Sequence, residues 1–153
     1  MKIDLKTLSI LNYDKSDKQY KFAKELSEDD MITRYIPCNV KAFILGSQED
    51  DDLRVNSAYI IADKNKLIGF IHIFSSFNKL YTLNYGVHPN YRNQGYGTKI
   101  LKEVSDYTLS EKNKGVRISI SKTNEYSIKA ALAAGYELED VISEVNYVYE
   151  KRK

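Results

Sequence analysis

Residues 85–98 read Tyr-Gly-Val-His-Pro-Asn-Tyr-Arg-Asn-Gln-Gly-Tyr-Gly-Thr, and here the chain's residue types best suited to chemistry sit together. Tyr85, Gly86 and Val87 end an alternating strand. A turn containing Pro89 follows, then the loop Arg92, Asn93, Gln94, Gly95, Tyr96, Gly97 and Thr98, where an amphipathic helix begins. Two glycines at a spacing of two let the backbone approach a ligand closely. A new helix leaves its first N–H groups unpaired and carries a partial positive charge at that end. Together these make an anion site, with phosphate the usual guest. Arg92 is expected to add a formal positive charge beside it.

Three phosphate-loop patterns compete for this stretch. The dinucleotide fingerprint needs a third glycine, which is absent. The nucleotide P-loop needs Gly-Lys-Ser/Thr, which Gly97-Thr98-Lys99 does not supply. The third, Arg/Gln-x-x-Gly-x-Gly/Ala, is met in full by residues 92–97, with Val87-His88-Pro89 just upstream. In this it resembles the coenzyme-A pyrophosphate loop of the GCN5-related N-acetyltransferases, the GNAT family. A plain strand-turn-helix junction that uses Gly for tight packing explains the glycines alone, but not Arg92 and the Val-x-Pro turn with them.

The elements around the loop are read from periodicity. Residues 3–11 read as a strand, 16–26 as a helix, 28–36 as a turn or short helix ending at Pro37, and 40–45 as another short helix. Residues 57–62 and 67–74 read as strands joined by a polar turn of hairpin length. The second is almost continuously apolar, as for a central strand covered on both faces. Residues 81–87 alternate with period two, and Gly86 within them suggests a bulge or the close approach of another backbone. A helix over 98–109 presents Ile100, Leu101, Val104 and Thr108 on one face. Gly115 opens a strand through Ile120. Asn124 then caps a helix whose apolar face is Ile128, Ala131 and Leu132 and which ends at Gly135. Residues 136–142 and 145–149 can close a hairpin. The order implies one α/β domain over residues 1–153, with a mixed sheet and helices on both faces. The GNAT resemblance sharpens this to six to seven strands, splayed between the fourth and fifth.

That resemblance also implies a site. Pantetheine of acetyl-CoA, the expected co-substrate, would lie in the splay and bond the backbone of Tyr85 and Val87. A backbone donor near residues 85–87 would face the thioester oxyanion. Asn124, Ser127, Gly135 and Tyr136 fall in register with the family's second motif, so Asn124 and Ser127 are expected cofactor contacts. The tyrosine that often protonates the leaving thiolate would fall at position 131, which is Ala131. Thr82 and Asn84 stand where an acidic base is customary. The Asn-x-x-Ser pattern without that tyrosine, and residues 30–36 before Pro37, resemble the branch that acetylates ribosomal-protein N-termini.

Composition bounds the rest. The chain has 153 residues, 23 Lys and Arg against 21 Asp and Glu, and a formal charge of +2. That charge is too small to argue for nucleic acid. Cys38 is the single cysteine, so no internal disulfide forms, and a structural thiol in a reducing, cytoplasmic setting is expected. No apolar run approaches the ~20 residues of a membrane span. Two His without a Cys/His cluster match no zinc spacing, so no metal is expected. The acidic run 49–52 lacks the glycine and ligand spacing of a calcium loop, and is a solvated loop or a lure for a cationic amine. His72 reads as a core histidine and His88 as solvated. Tyr126 and Tyr136 are expected near the thiolate. The sequence thus points to an N-acetyltransferase that moves acetyl from acetyl-CoA to a primary amine, as a monomer or homodimer. A non-catalytic acyl-CoA-binding module of the same fold is the alternative.

Overall fold

The computed structural model describes residues 2–36, 40–45, 52–140 and 146–152. The expectations for Pro37, Cys38 and residues 49–51 lie outside these.

An N-terminal hairpin, β1 (Lys2–Asp4) and β2 (Ser9–Leu11), stands where a single strand is expected over residues 3–11. Residues 5–8 make the turn, and the buried carboxylate of Glu103 accepts from the amides of Thr7 and Leu8. That partner lies about a hundred positions away, which is why local periodicity misses the turn. Three helices follow: α1 (Asp17–Glu28), α2 (Asp30–Tyr35) and α3 (Val40–Leu45). Ser16 caps α1 by accepting from the Gln19 amide at 3.3 Å. Asp29 caps α2 through the Ile32 amide at 3.0 Å. Such caps satisfy donors that the helix itself cannot.

The centre is a meander of β3 (Ser57–Asp63), β4 (Lys66–Phe77) and β5 (Leu80–Val87). A 3-10 turn at Pro89–Tyr91 leads to α4 (Tyr96–Lys112), longer at both ends than its apolar stripe suggests. Then come β6 (Gly115–Ser121), α5 (Glu125–Ala133), β7 (Glu137–Asp140) and β8 (Asn146–Lys151). Among the described residues the sheet has eight strands in the order β1-β2-β3-β4-β5-β6-β8-β7. The eighth strand arises because the first expected strand is a hairpin. Each pairing between these strands is antiparallel except β5 with β6.

Both faces of the sheet are covered, which is why β3 and β4 are apolar almost throughout. On one face Tyr59, Ile61, Ile71, Ile73 and Leu83 pack with Ile100, Leu101 and Val104 of α4 and Ala130 and Ala131 of α5. On the other, Ala58, Ile60 and Phe70 pack with Phe22, Ala23 and Leu26 of α1 and with Ile32, Ala42 and Phe43. Each fully buried Leu, Ile or Phe contributes about 1.5–3 kcal/mol of transfer free energy.

Two details refine the sequence reading. No register shift occurs at Gly86, but the approach there is close: a Cβ on Gly86 would fall 2.4 Å from the Phe70 ring, and one on Gly69 2.3 Å from the Gly86 carbonyl oxygen. Leu132 is 54% exposed, and α5 buries Ala130 and Ala131 instead. α5 meets the rest of the molecule through small residues, which bring its N-terminus close to β5.

Candidate active site

β5 and β6 pair in parallel only at Leu80↔Gly115, Tyr81↔Val116 and Thr82↔Arg117. Beyond Thr82 the strands part, at the position expected. The His88 amide bonds to the Ile68 carbonyl at 2.8 Å. In an antiparallel ladder this sets Gly86 and Asn84 to exchange bonds with β4, because bonded and non-bonded pairs alternate. Tyr85 and Val87 therefore turn their N–H and C=O groups the other way, into the splay.

Past Val87 the chain folds back through His88. This histidine is 5% exposed, a correction to its expected solvated state. Its Nδ1 accepts from the Asn90 amide at 3.2 Å, so the proton lies on Nε2, which donates to Glu25 Oε2 at 2.7 Å. Its ring stacks on Phe22 at 5.2 Å. Asn93 and Gly95 take left-handed backbone, φ +60° and +80°. Gly95 stands at the N-cap of α4 with no side chain to cap the helix. The first amides of α4 are thus left for a ligand, beside the positive end of the helix dipole.

Two ties hold the loop in place. The Tyr96 hydroxyl donates to Asp63 Oδ2 at 2.6 Å. That hydrogen bond, then burial and the Asp63 charge, push the Tyr96 pKa up. Arg92, expected as a free charge beside the loop, is bidentate to Asp29 at 3.2 and 2.5 Å. Burial opposes the Asp29 charge. Arg92 and the Ile32 and Met31 amides outweigh it and hold the carboxyl below the usual range. The side chain of Arg92 thus joins the loop to the α1–α2 junction.

These elements enclose a cavity of about 400 Å³. Of the expected site residues, Tyr85, Gly86, Val87, Arg92, Asn93, Gly95, Tyr96, Gly97, Thr98, Asn124 and Ser127 line it. Gln94 does not; it is exposed. Asn124 caps α5 by accepting from the Ser127 amide at 3.4 Å, and the Tyr85 hydroxyl donates to Ser127 Oγ at 3.1 Å. A second, small cavity lies in the splay against Asn84, Ile118, Ser119 and Ile120.

The remaining candidates sort by burial. Ala131 is fully buried in the core and lines neither cavity, so the family's usual phenol has no counterpart there. Tyr136 is also a core residue, its hydroxyl donating to the Leu101 carbonyl at 3.1 Å. Tyr126 does line the cavity, 69% exposed. His72 is half-buried beside Phe74 and lines neither cavity. Asp52, from the acidic run, pairs with Lys112 at 2.6 Å. The sequence reading missed the far wall, Met31, Ile32, Tyr35 and Ile36 of α2 and the residue after it. Its cue is the apolar spacing of a helix one position behind Asp29. Among the described residues, no three His, Cys, Asp or Glu cluster as a metal site, and no helix is long and apolar enough to cross a membrane.

Comparison with known proteins agrees with this geometry. The chain is 28% identical over 120 residues to an uncharacterized N-acetyltransferase, YnaD, of Bacillus subtilis strain 168, covering 74% of this chain and 68% of that protein. Its fold matches an acetyltransferase of the GNAT family from Bacillus anthracis, with TM-score 0.76 at 16% identity over 99% of this chain and 98% of that one. It also matches RimL, a ribosomal L7/L12 alpha-N-protein acetyltransferase in complex with coenzyme A, with TM-score 0.71 at 13% identity over 99% and 98%. The model of the acetyltransferase (GNAT) family matches residues 20–136, from within α1 through the cleft to just past α5. The chain therefore belongs to the GNAT family of acetyl-CoA-dependent N-acetyltransferases.

Proposed function

We propose that the protein transfers acetyl from acetyl-CoA to a primary amine of a small molecule or of a protein or peptide, by direct attack of the amine. The observation that carries this reading is the continuity of one wall. The outward-turned backbone of Tyr85 and Val87 leads to the uncapped N-terminus of α4, and both face the same cavity. Such a strand edge can bond the amides of a pantetheine arm as an added strand would, and the helix end can hold its pyrophosphate. On this reading the cofactor contacts are Tyr85, Gly86, Val87, Arg92, Asn93, Gly95, Tyr96, Gly97, Thr98, Asn124 and Ser127. The α2 wall would frame the acceptor.

Among the described lining residues there is no Asp, Glu or His. Water then takes the proton of the amine, and the protein acts through orientation and electrostatic stabilisation. The rate should follow the ionisation of the acceptor itself. Turnover with two amines of different basicity should rise toward each amine's own pKa, and coincident or bell-shaped profiles would instead report an enzyme group. Before that, titration calorimetry should show acetyl-CoA binding on the micromolar scale, with a raised melting temperature, and NADH and ATP doing little. A folded protein that leaves acetyl-CoA unbound refutes the reading. We also place the chain in the cytoplasm, as a single domain acting as a monomer or homodimer.

A further inference from the structure

The large cavity and the small one in the splay share the walls Tyr35, Ile36, Tyr85, Asn124 and Ser127. Following β5 away from the phosphate loop, the order is Val87, Gly86, Tyr85, and the splay closes at Thr82. A linear arm held by its phosphates at the loop therefore ends near Tyr85, and for coenzyme A that end is the sulfur.

At this point stands a polarised pair of hydroxyls. The Tyr85 hydroxyl donates to Ser127 Oγ at 3.1 Å. Each hydroxyl has one proton to donate. With the Tyr85 proton directed at Ser127, the Ser127 proton is left for another acceptor, and among the described residues none receives it. The pair is held firmly. Tyr85 is 6% exposed, with Gly97 beside its ring, and Ser127 sits in the first turn of α5, its amide tied to Asn124. Burial raises the Tyr85 pKa, so the phenol keeps its proton through neutral pH.

We propose that Tyr85 is a positioning residue for acyl transfer, holding Ser127 so that the serine hydroxyl donates to the departing sulfur. The proposal rests on the acetyltransferase reading above. The amine nitrogen attacks the thioester carbonyl carbon, the C–N bond forms, the C–S bond breaks, and its electron pair leaves on sulfur. The proton released by the amine passes to water. Ser127 and Tyr85 keep their protons, and the thiolate is protonated in solvent after release. Hydrogen bonds to an anion are roughly twice as strong as neutral ones, and a chain of two polarises the nearer donor.

The test needs no acceptor amine. Coenzyme A is bound to the protein, and the rate at which iodoacetamide alkylates its thiol is followed against pH by the mass of coenzyme A. In the wild type the midpoint should lie below that of free coenzyme A. In Tyr85→Phe it should rise by about half a unit to one unit, the size expected for one lost hydrogen bond. Ser127→Ala should raise it as much or more, the double variant no further than Ser127→Ala, and Ser127→Thr should retain the low value. Coenzyme A is kept saturating for every variant, so that each midpoint is that of the complex. An unmoved midpoint in Tyr85→Phe overturns the proposal, as do fully additive effects in the double variant. Coenzyme A that fails to bind the folded wild type overturns the acetyltransferase reading and the proposal with it. Binding with an unmoved midpoint overturns the proposal alone.

Discussion

Two helices point their N-termini at the same cavity, and they end differently. α4 starts at Gly95, in left-handed backbone, with no side chain over its first amides. α5 starts at Asn124, whose carboxamide oxygen takes the Ser127 amide. A helix end closed by its own side chain is stable without a ligand. One left open is completed by an anion from outside. On the proposed reading, this difference would make one end of the cleft the phosphate end and leave the other neutral.

Substitution at Gly95 should break this contrast most severely. The ideal Cβ at Gly95 meets nothing within 4 Å, so the obstacle is its φ of +80°. Gly95→Val should move the backbone and lower acetyl-CoA affinity by roughly a hundredfold or more. Gly97 sharpens the point: its Cβ would stand 3.4 Å from the Tyr85 ring, an ordinary contact. Gly97→Ala should therefore fold as the wild type does and lose affinity all the same. Calorimetric titration with circular dichroism as the folding control separates the two, and wild-type affinity in both would show that the loop does not cradle phosphate.

Ala131→Tyr comes next. Ala131 is wholly buried on the inner face of α5, away from the cleft. A phenol introduced there should cost about 1–3 kcal/mol by overpacking, without raising turnover. A stable and faster variant would show that position 131 does reach the thiolate.

The cap of α5 is a smaller term. Asn124→Ala should cost about 1 kcal/mol, or roughly 2–4 °C in melting temperature for a domain of this size. Asn124→Asp should restore most of it. An Ala variant as stable as the wild type would show that the cap is not what closes this helix end.

Arg92 should have the smallest effect on the cofactor. Its guanidinium is committed to Asp29, so Arg92→Ala should weaken acetyl-CoA binding by less than about fivefold, part of which salt screens. The pair bears instead on stability against pH. The folded pKa of Asp29 is depressed, so its contribution is present above the unfolded carboxyl value of about 3.9. It is lost as pH falls through the folded value. The difference in stability between wild type and Asp29→Asn should therefore shrink only below about pH 4. A difference that fades between pH 5 and 8 would assign it to another group.

How much of this was legible in the sequence follows from the range of each interaction. Gly95-x-Gly97, the Val-x-Pro turn and the alternation from Tyr81 to Val87 announce a strand, a turn and an open helix end within fourteen residues, because backbone sterics and helix ends are local. Asn124 with Ser127 three positions on is local in the same way. The partners of the polar side chains are not. His88 finds Glu25, Arg92 finds Asp29, and Glu103 finds Thr7, each across more than sixty positions. No window of sequence contains both members of such a pair.

The chain by itself determined the order of most elements and the glycine loop after β5, because periodicity and the effects of glycine and proline act within a few residues. The family and the splay were legible only through the likeness of residues 92–97 and 124–136 to the motifs of that family. Only the tertiary structure decided that the N-terminal strand is a hairpin, that Arg92 clamps α2, that Ala131 lies in the core, and that Tyr85 meets Ser127. Each of these depends on which side chains the packed sheet brings within 3–4 Å, a distance set jointly by elements far apart in the chain.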